Sequence, residues 1–154
     1  GGARSYGRTG AGDPGRTRKR AGLSMEKFRI LVIDDSLEFL NSIRRVIQRG
    51  GPYDVHTTDA PATVAEQIDA IRPHLIVLDM MMPRIGGLDV CAVLNEHAFG
   101  RNIPVVVITG DDKEVDRQKA LELGVQAYLS KLSSNEEILS VIGRVIRQRY
   151  GDAE

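Results

Sequence analysis

Five polar residues follow short apolar runs: Asp34 and Asp35 after Ile30 to Ile33, Asp79 after Leu75 to Leu78, Thr109 after Ile103 to Ile108, and Lys131 just beyond Ala127 to Leu129. Where such runs are parallel strands, these residues gather at one edge of a sheet, the place where open α/β folds bind ligands. Neighbouring parallel strands lie about 4.8 Å apart, so three carboxylates on adjacent strand ends repel one another unless a cation intervenes. Oxygen ligands with water suit a hard divalent ion, magnesium first and manganese second, and disfavour zinc. Such an ion screens an approaching phosphoryl donor and orients its oxygens, leaving one carboxylate to attack phosphorus in line. Lys131 is a mobile point charge able to pair with that carboxylate or its phosphoryl group, and Thr109 adds a hydroxyl at the same rim.

The elements that position these residues are legible from periodicity. Short β-rich apolar runs alternate with helical patterns five times from Arg29 onward, the signature of βαβ units and a parallel sheet. Ile30 to Ile33 reads as the first strand, and Leu37, Leu40, Ile43 and Ile47 as the inward face of a helix ending near Gly50 and Gly51. Val55 to Thr57 is a weaker strand. Asp59 is the expected N-cap of the next helix, with Pro61 in its first turn and Val64, Ile68 and Ile71 on its face before Pro73. The loop after Asp79 holds Pro83, Gly86 and Gly87 and leads to a helix with Leu88, Cys91 and Leu94 on one side. The fourth helix, about residues 113–123, has few apolar residues, Val115, Ala120, Leu121 and Leu123, before Gly124, so its hold on the core is weak. Ser134 and Glu137 form a capping box opening a last helix whose Ile138, Val141, Ile142 and Val145 face inward. The continuous apolar strands require cover on both faces. The expected fold is therefore α/β, a doubly wound five-stranded parallel sheet with five helices and its strand order reversing between the first and third strands.

Length and composition bound the remaining choices. The 154 residues, 42% of them hydrophobic, suit one core. No apolar run approaches the roughly 20 residues of a membrane span and no secretory leader is present, so a soluble, cytoplasmic domain without membrane contact is expected. Cys91 is the only cysteine and reads as packing, and His56, His74 and His97 lack metal-ligand spacing. Residues 1–24 carry a net charge of +5 and the remainder −5. The first segment, rich in Gly and Arg, is expected to be a disordered basic leader or tag, with the folded domain over 25–154 and Met25 a candidate natural start. An acidic folded part argues against direct nucleic-acid binding by that domain.

From about Lys27 to Tyr150 the chain resembles the receiver domain of bacterial two-component response regulators, including the stand-alone chemotaxis regulator. The resemblance rests on the pair Asp34-Asp35, on Asp79 44 residues after Asp35, on Thr109 30 further on, and on Lys131 22 beyond that. It implies the strand order 2-1-3-4-5 of a flavodoxin-like three-layer sandwich, and that Asp79 accepts a phosphoryl group from a histidine kinase or histidine phosphotransfer protein. It implies direct Mg2+ ligation by Asp35 and Asp79, a contribution from Asp34 chiefly through water, and a ligand carbonyl from Met81. It places Thr109 and Gly110 at the phosphoryl group, and Tyr128 as the aromatic residue that turns inward as Thr109 moves. The implied output surface, for a downstream protein or a homodimer, consists of the fourth helix, fifth strand and fifth helix. Such a protein is a phosphoacceptor that assists its own phosphorylation and dephosphorylation, and not an enzyme acting on an external substrate.

Two positions depart from the family pattern. Leu132 stands where proline usually follows the lysine, and a cis bond before leucine, costing about 2.5 to 4 kcal/mol, is not expected. Met81, two beyond the acceptor, cannot orient a hydrolytic water, which shifts control of phosphoryl lifetime toward Asp111, two beyond Thr109. Taken singly, Asp34-Asp35-Ser36 reads equally as an acidic helix start, Asp79 and Thr109-Gly110 as strand exits, and Lys131 as a solvated charge. A flavin carrier is disfavoured by two aspartates where a phosphate loop belongs. An aspartate-nucleophile phosphatase expects a second aspartate at the position of Met81. A degenerate receiver serving as a constitutive interaction module remains the alternative, and both a stand-alone regulator and a piece of a longer one fit the chain.

Overall fold

The computed structural model describes residues 26–151, so the basic segment 1–24 and Met25 lie outside the described residues. Five parallel strands, β1 (Phe28–Ile33), β2 (Tyr53–Thr58), β3 (Leu75–Leu78), β4 (Val105–Thr109) and β5 (Ala127–Ser130), form one sheet in the order β2-β1-β3-β4-β5. Five helices alternate with them: α1 (Leu37–Arg49), α2 (Val64–Ile71), α3 (Gly87–Glu96), α4 (Glu114–Glu122) and α5 (Asn135–Tyr150). This is the expected doubly wound architecture.

Strand alternation builds two cores. Ile30 and Val32 of β1, Leu75 and Val77 of β3, and Val106 and Ile108 of β4 pack with Leu40, Ile43 and Ile47 of α1 and Ile138, Ile142 and Val145 of α5. The intervening residues Leu31, Ile33, Ile76, Leu78, Val105 and Val107 face α2, α3 and α4 on the other side. Because the three central strands are buried on both faces, their sequences are continuously apolar. Helix α4 contributes only Ala120 to these buried sets, while Val115 and Leu121 are exposed, so the weak apolar hold read from its sequence is real.

Several local expectations change. Leu37, the first residue of α1, is exposed, and the buried face begins at Leu40. Asp59 is not a cap: a 3-10 turn, Pro61–Thr63, precedes α2 with Ala60 as its N-cap, and the Ala60 N–H donates to Thr58 Oγ1. β4 starts at Val105, since Ile103 closes a second 3-10 turn (Gly100–Asn102) by donating its N–H to the Gly100 carbonyl. β1 and β2 begin two residues earlier than their apolar runs suggest, because Phe28 and Tyr53 are already in register. Of the proposed capping box at α5, Ser134 Oγ accepts the Glu137 N–H. No helix among the described residues is long and apolar enough to cross a membrane.

Candidate functional site

Strand register levels the site residues. Ile33 pairs with Leu78, and the ladder runs one step further, with the Asp79 N–H donating to the Ile33 carbonyl (3.1 Å) and the Asp34 N–H to the Thr58 carbonyl (3.1 Å). On the other side Thr109 pairs with Ser130, and the Lys131 N–H donates to the Thr109 carbonyl (2.9 Å). Backbone hydrogen bonds therefore set where the two buried aspartates, the threonine and the lysine leave the sheet.

Asp34, Asp35 and Asp79 each offer a carboxylate oxygen within 4.8 Å of the others. Asp34 and Asp79 are only 1% and 3% exposed, whereas Asp35 faces solvent. Asp34 Oδ1 accepts the Ser36 N–H, and Ser36 Oγ in turn caps α1 by accepting the Phe39 N–H. The acidic segment thus opens α1 through Asp34 Oδ1 and Ser36, while Asp34 Oδ2 is left to Lys131. The Lys131 ammonium lies 2.9 Å from Asp34 Oδ2 and 3.7 Å from Asp79 Oδ2, so Asp34, not the acceptor candidate, is its nearer partner. Asp79 Oδ1 is buried with no hydrogen-bond partner among the described residues.

Burial raises the Asp34 pKa above its ordinary 3.8; the Ser36 amide and Lys131 oppose that shift, and the Asp79 charge adds to it. A folded pKa raised in this way contributes stability that is complete below pH 3.8 and is lost as pH rises through the folded value. Asp34→Asn removes that loss. In chelator-treated protein, its stability advantage over the parent should therefore grow between about pH 4 and 7, measured by urea denaturation. An advantage that is flat or shrinks with pH would count against the burial argument.

Thr109 Oγ1, buried, accepts from the N–H groups of Asp111 (3.2 Å) and Met80 (3.4 Å), linking β4 to the segment after Asp79. Tyr128 packs with the α2/α3/α4 core, and its hydroxyl is buried without a hydrogen-bond partner among the described residues. Burial, then the Asp111, Asp116 and Asp79 carboxylates, push the Tyr128 pKa up to about 12. Asp111 is buried; its Oδ1 accepts the Lys113 N–H, and its hydrogen bond with the Asp116 side chain lowers its pKa while raising that of Asp116. Gly110 is exposed with open space at the position of a Cβ, and the Met81 side chain is exposed.

Three further residues of the site were not singled out by sequence. A Cβ on Gly87 would lie 2.7 Å from Met80 Cα and 2.8 Å from the Asp79 carbonyl oxygen, so only glycine lets α3 start against the Asp79–Met80 backbone. The Gly-Gly pair is visible in the sequence, but its packing duty is not. Phe39 places its ring 4.5 Å from Lys131 Nζ, and Ser130 Oγ accepts the Leu132 N–H. Phe39 lies outside the strand-end pattern, whereas Ser130 ends β5 beside Lys131.

The family model of the response regulator receiver domain matches residues 30–143. The chain is 35% identical over 124 residues to the response regulator MprA of Mycobacterium leprae, covering 80% of this chain and 53% of that protein. It is 31% identical over 120 residues to the alkaline phosphatase synthesis transcriptional regulatory protein PhoP of Bacillus subtilis, covering 78% and 49%. The chain thus spans about half the length of these relatives. Its fold matches that of the chemotaxis protein CheY4 of Vibrio cholerae with a TM-score of 0.72 at 21% identity, covering 77% of this chain and 98% of that one. The chain belongs to the response regulator receiver domain family, and is a receiver domain of two-component signalling.

Proposed function

We propose that this receiver is a phosphorylation-dependent switch in which Asp79 takes a phosphoryl group from a histidine kinase or histidine phosphotransfer protein. The observation that carries this reading is the pair of buried carboxylates, Asp34 and Asp79, on adjacent strand ends, with Asp35 within 4.8 Å and a single ammonium between them. The donor set fits a hard divalent ion: three carboxylates, one with a buried unpartnered oxygen, and no soft ligand. Asp34, Asp35, Asp79 and the Met81 carbonyl would hold Mg2+, with Mn2+ as substitute. When bound, the ion neutralises charge on the phosphoryl oxygens.

The chain's own residues supply the rest. A carboxylate oxygen of Asp79 forms the bond to phosphorus while the P–N bond to the donor imidazole breaks, its electron pair staying on nitrogen, which then takes a proton from solvent. Lys131 moves from Asp34 toward the new phosphoryl oxygens, and Thr109 offers its hydroxyl beside the Met80 N–H and Gly110. The added charge, about −1.5 to −2, biases the segment after β4 and α4, a helix in which only Ala120 is buried, with Leu123 and Tyr128 partly buried against the same core. Exposed Val115 and Leu121 on α4 suit a partner-facing α4–β5–α5 surface, for a downstream protein or a second copy. Asp111 at the rim tunes phosphoryl lifetime, so the protein assists its own reaction without turning over an external substrate.

Incubation of the full chain with acetyl phosphate should add one phosphoryl group by intact mass with Mg2+ and none with chelator. Hydroxylamine should remove it, as expected of an acyl phosphate. No addition under any metal condition would favour the constitutive interaction module, and sustained hydrolysis of a phosphomonoester would favour a phosphatase.

A further inference from the structure

Leu132, one of the two departures from the family pattern, lies in the lysine loop, and its N–H takes part in the geometry there. After the Lys131 N–H completes the β4–β5 ladder, the chain turns: the Ser133 N–H donates to the Ser130 carbonyl (3.0 Å), and the Leu132 N–H to Ser130 Oγ (2.9 Å). The peptide bonds of the described residues, including Lys131–Leu132, are all trans. The second of these hydrogen bonds requires an N–H at position 132, which proline lacks. A serine hydroxyl bonded two residues onward is a local clasp that mimics a backbone turn, and here it encloses Lys131. Ser130 is exposed, so its hydroxyl gains little by this bond in burial; what the bond restrains is the backbone from which the lysine side chain projects.

A second restraint comes from α1. Phe39 is partly buried against the α1/α5 core and sets its ring face 4.5 Å from Lys131 Nζ. The ammonium is thus bounded by Asp34, Asp79 and the ring. A ring face attracts a cation without adding a net negative charge to a pocket that already holds three carboxylates. Lysine, on a flexible four-carbon stem, otherwise has much rotamer freedom to lose.

We propose that Ser130 and Phe39 are positioning residues for Lys131: the Ser130 hydroxyl, by clasping the Leu132 N–H that a proline would not have, and the Phe39 ring together hold the ammonium over Asp34 and Asp79. The inference rests on the reading of Lys131 as the phosphoryl-facing cation, and its test separates the two. In the full chain the Lys131 Hε protons should be shifted upfield by the Phe39 ring current, which NMR reads without any phosphorylation. Ser130→Ala should shrink that shift and slow acetyl phosphate uptake by about 3- to 10-fold, the equivalent of one net hydrogen bond. Ser130→Thr, which keeps the hydroxyl, should restore both. In a Leu132→Pro background, Ser130→Ala should change neither. Phe39→Leu should abolish the shift and slow uptake by about 2- to 5-fold, and Phe39→Tyr should restore both.

Lys131 protons that stay in place in Ser130→Ala, or an equal effect of that substitution in the Leu132→Pro background, would overturn the proposal while leaving Asp79 phosphorylation intact. If the parent takes up no phosphoryl group, the phosphorylation reading fails, and the ring-current arm alone still decides the positioning.

Discussion

Asp79→Asn is expected to take up no phosphoryl group from acetyl phosphate, while folding at least as well as the parent when metal is removed. The amide has the shape of the carboxylate, so the 3% exposed position keeps its packing and its backbone bond to Ile33. It has no nucleophilic oxygen at neutral pH, so the P–O bond cannot form. Removing one charge from three carboxylates within 4.8 Å relieves repulsion in the metal-free state, and Lys131 then serves Asp34 alone. The same loss of charge weakens the ion site, and Mg2+ affinity by isothermal titration should fall by more than about tenfold. Intact mass and urea denaturation check the first two effects. A mass gain that persists in Asp79→Asn would place the acceptor elsewhere, and a variant markedly less stable than the parent without metal would mean that the Asp79 charge supports the fold.

The strand-end residues were readable because parallel strands buried on both faces leave continuous apolar runs, and a polar residue ending such a run can only sit at the sheet's edge. Asp34, Asp79 and Thr109 are cases of this, and Lys131 follows the half-buried edge strand β5; the strand order came from the family resemblance that these residues carry. What the pattern could not carry was partner choice. Lys131 stands nearer Asp34 than Asp79, and it projects from a turn through Ser130 and Leu132 whose side-chain-to-backbone bond has no periodicity. Phe39 escaped notice because it lies beside the α1 face marked by Leu40, Ile43 and Ile47 and so reads as incidental, yet that offset aims it at the lysine. Leu37 and Asp59 failed for a related reason. Helix ends answer to the local chain path, an exposed first turn in one case and the Thr58 hydroxyl in the other, more than to pattern.

Lys131→Ala should cause the largest loss of stability among substitutions at the site, about 2 to 3 kcal/mol at neutral pH without metal. Its ammonium is the only cation paired with Asp34 or Asp79 among the described residues, and without it two nearly inaccessible carboxylates face each other uncompensated. The figure sits at or below the low end of the range for broken buried pairs because the ammonium is itself 27% exposed and Asp34, whose pKa burial already raises, can escape by taking up a proton. That escape makes the loss larger at higher pH and smaller at lower pH. Saturating Mg2+ should recover most of it, and should bind Lys131→Ala more tightly than the parent, because the ion no longer competes with an ammonium for Asp34. Phosphoryl uptake should nevertheless drop about 100-fold, since stabilising the apo carboxylates and stabilising the developing phosphoryl charge are separate duties of one side chain. Adding Asp34→Asn to Lys131→Ala separates them: it should return most of the lost stability, a strongly non-additive pair, and none of the lost rate. An effect of Asp34→Asn on urea denaturation that is the same with and without Lys131 would show that Lys131 acts on the fold through contacts other than Asp34.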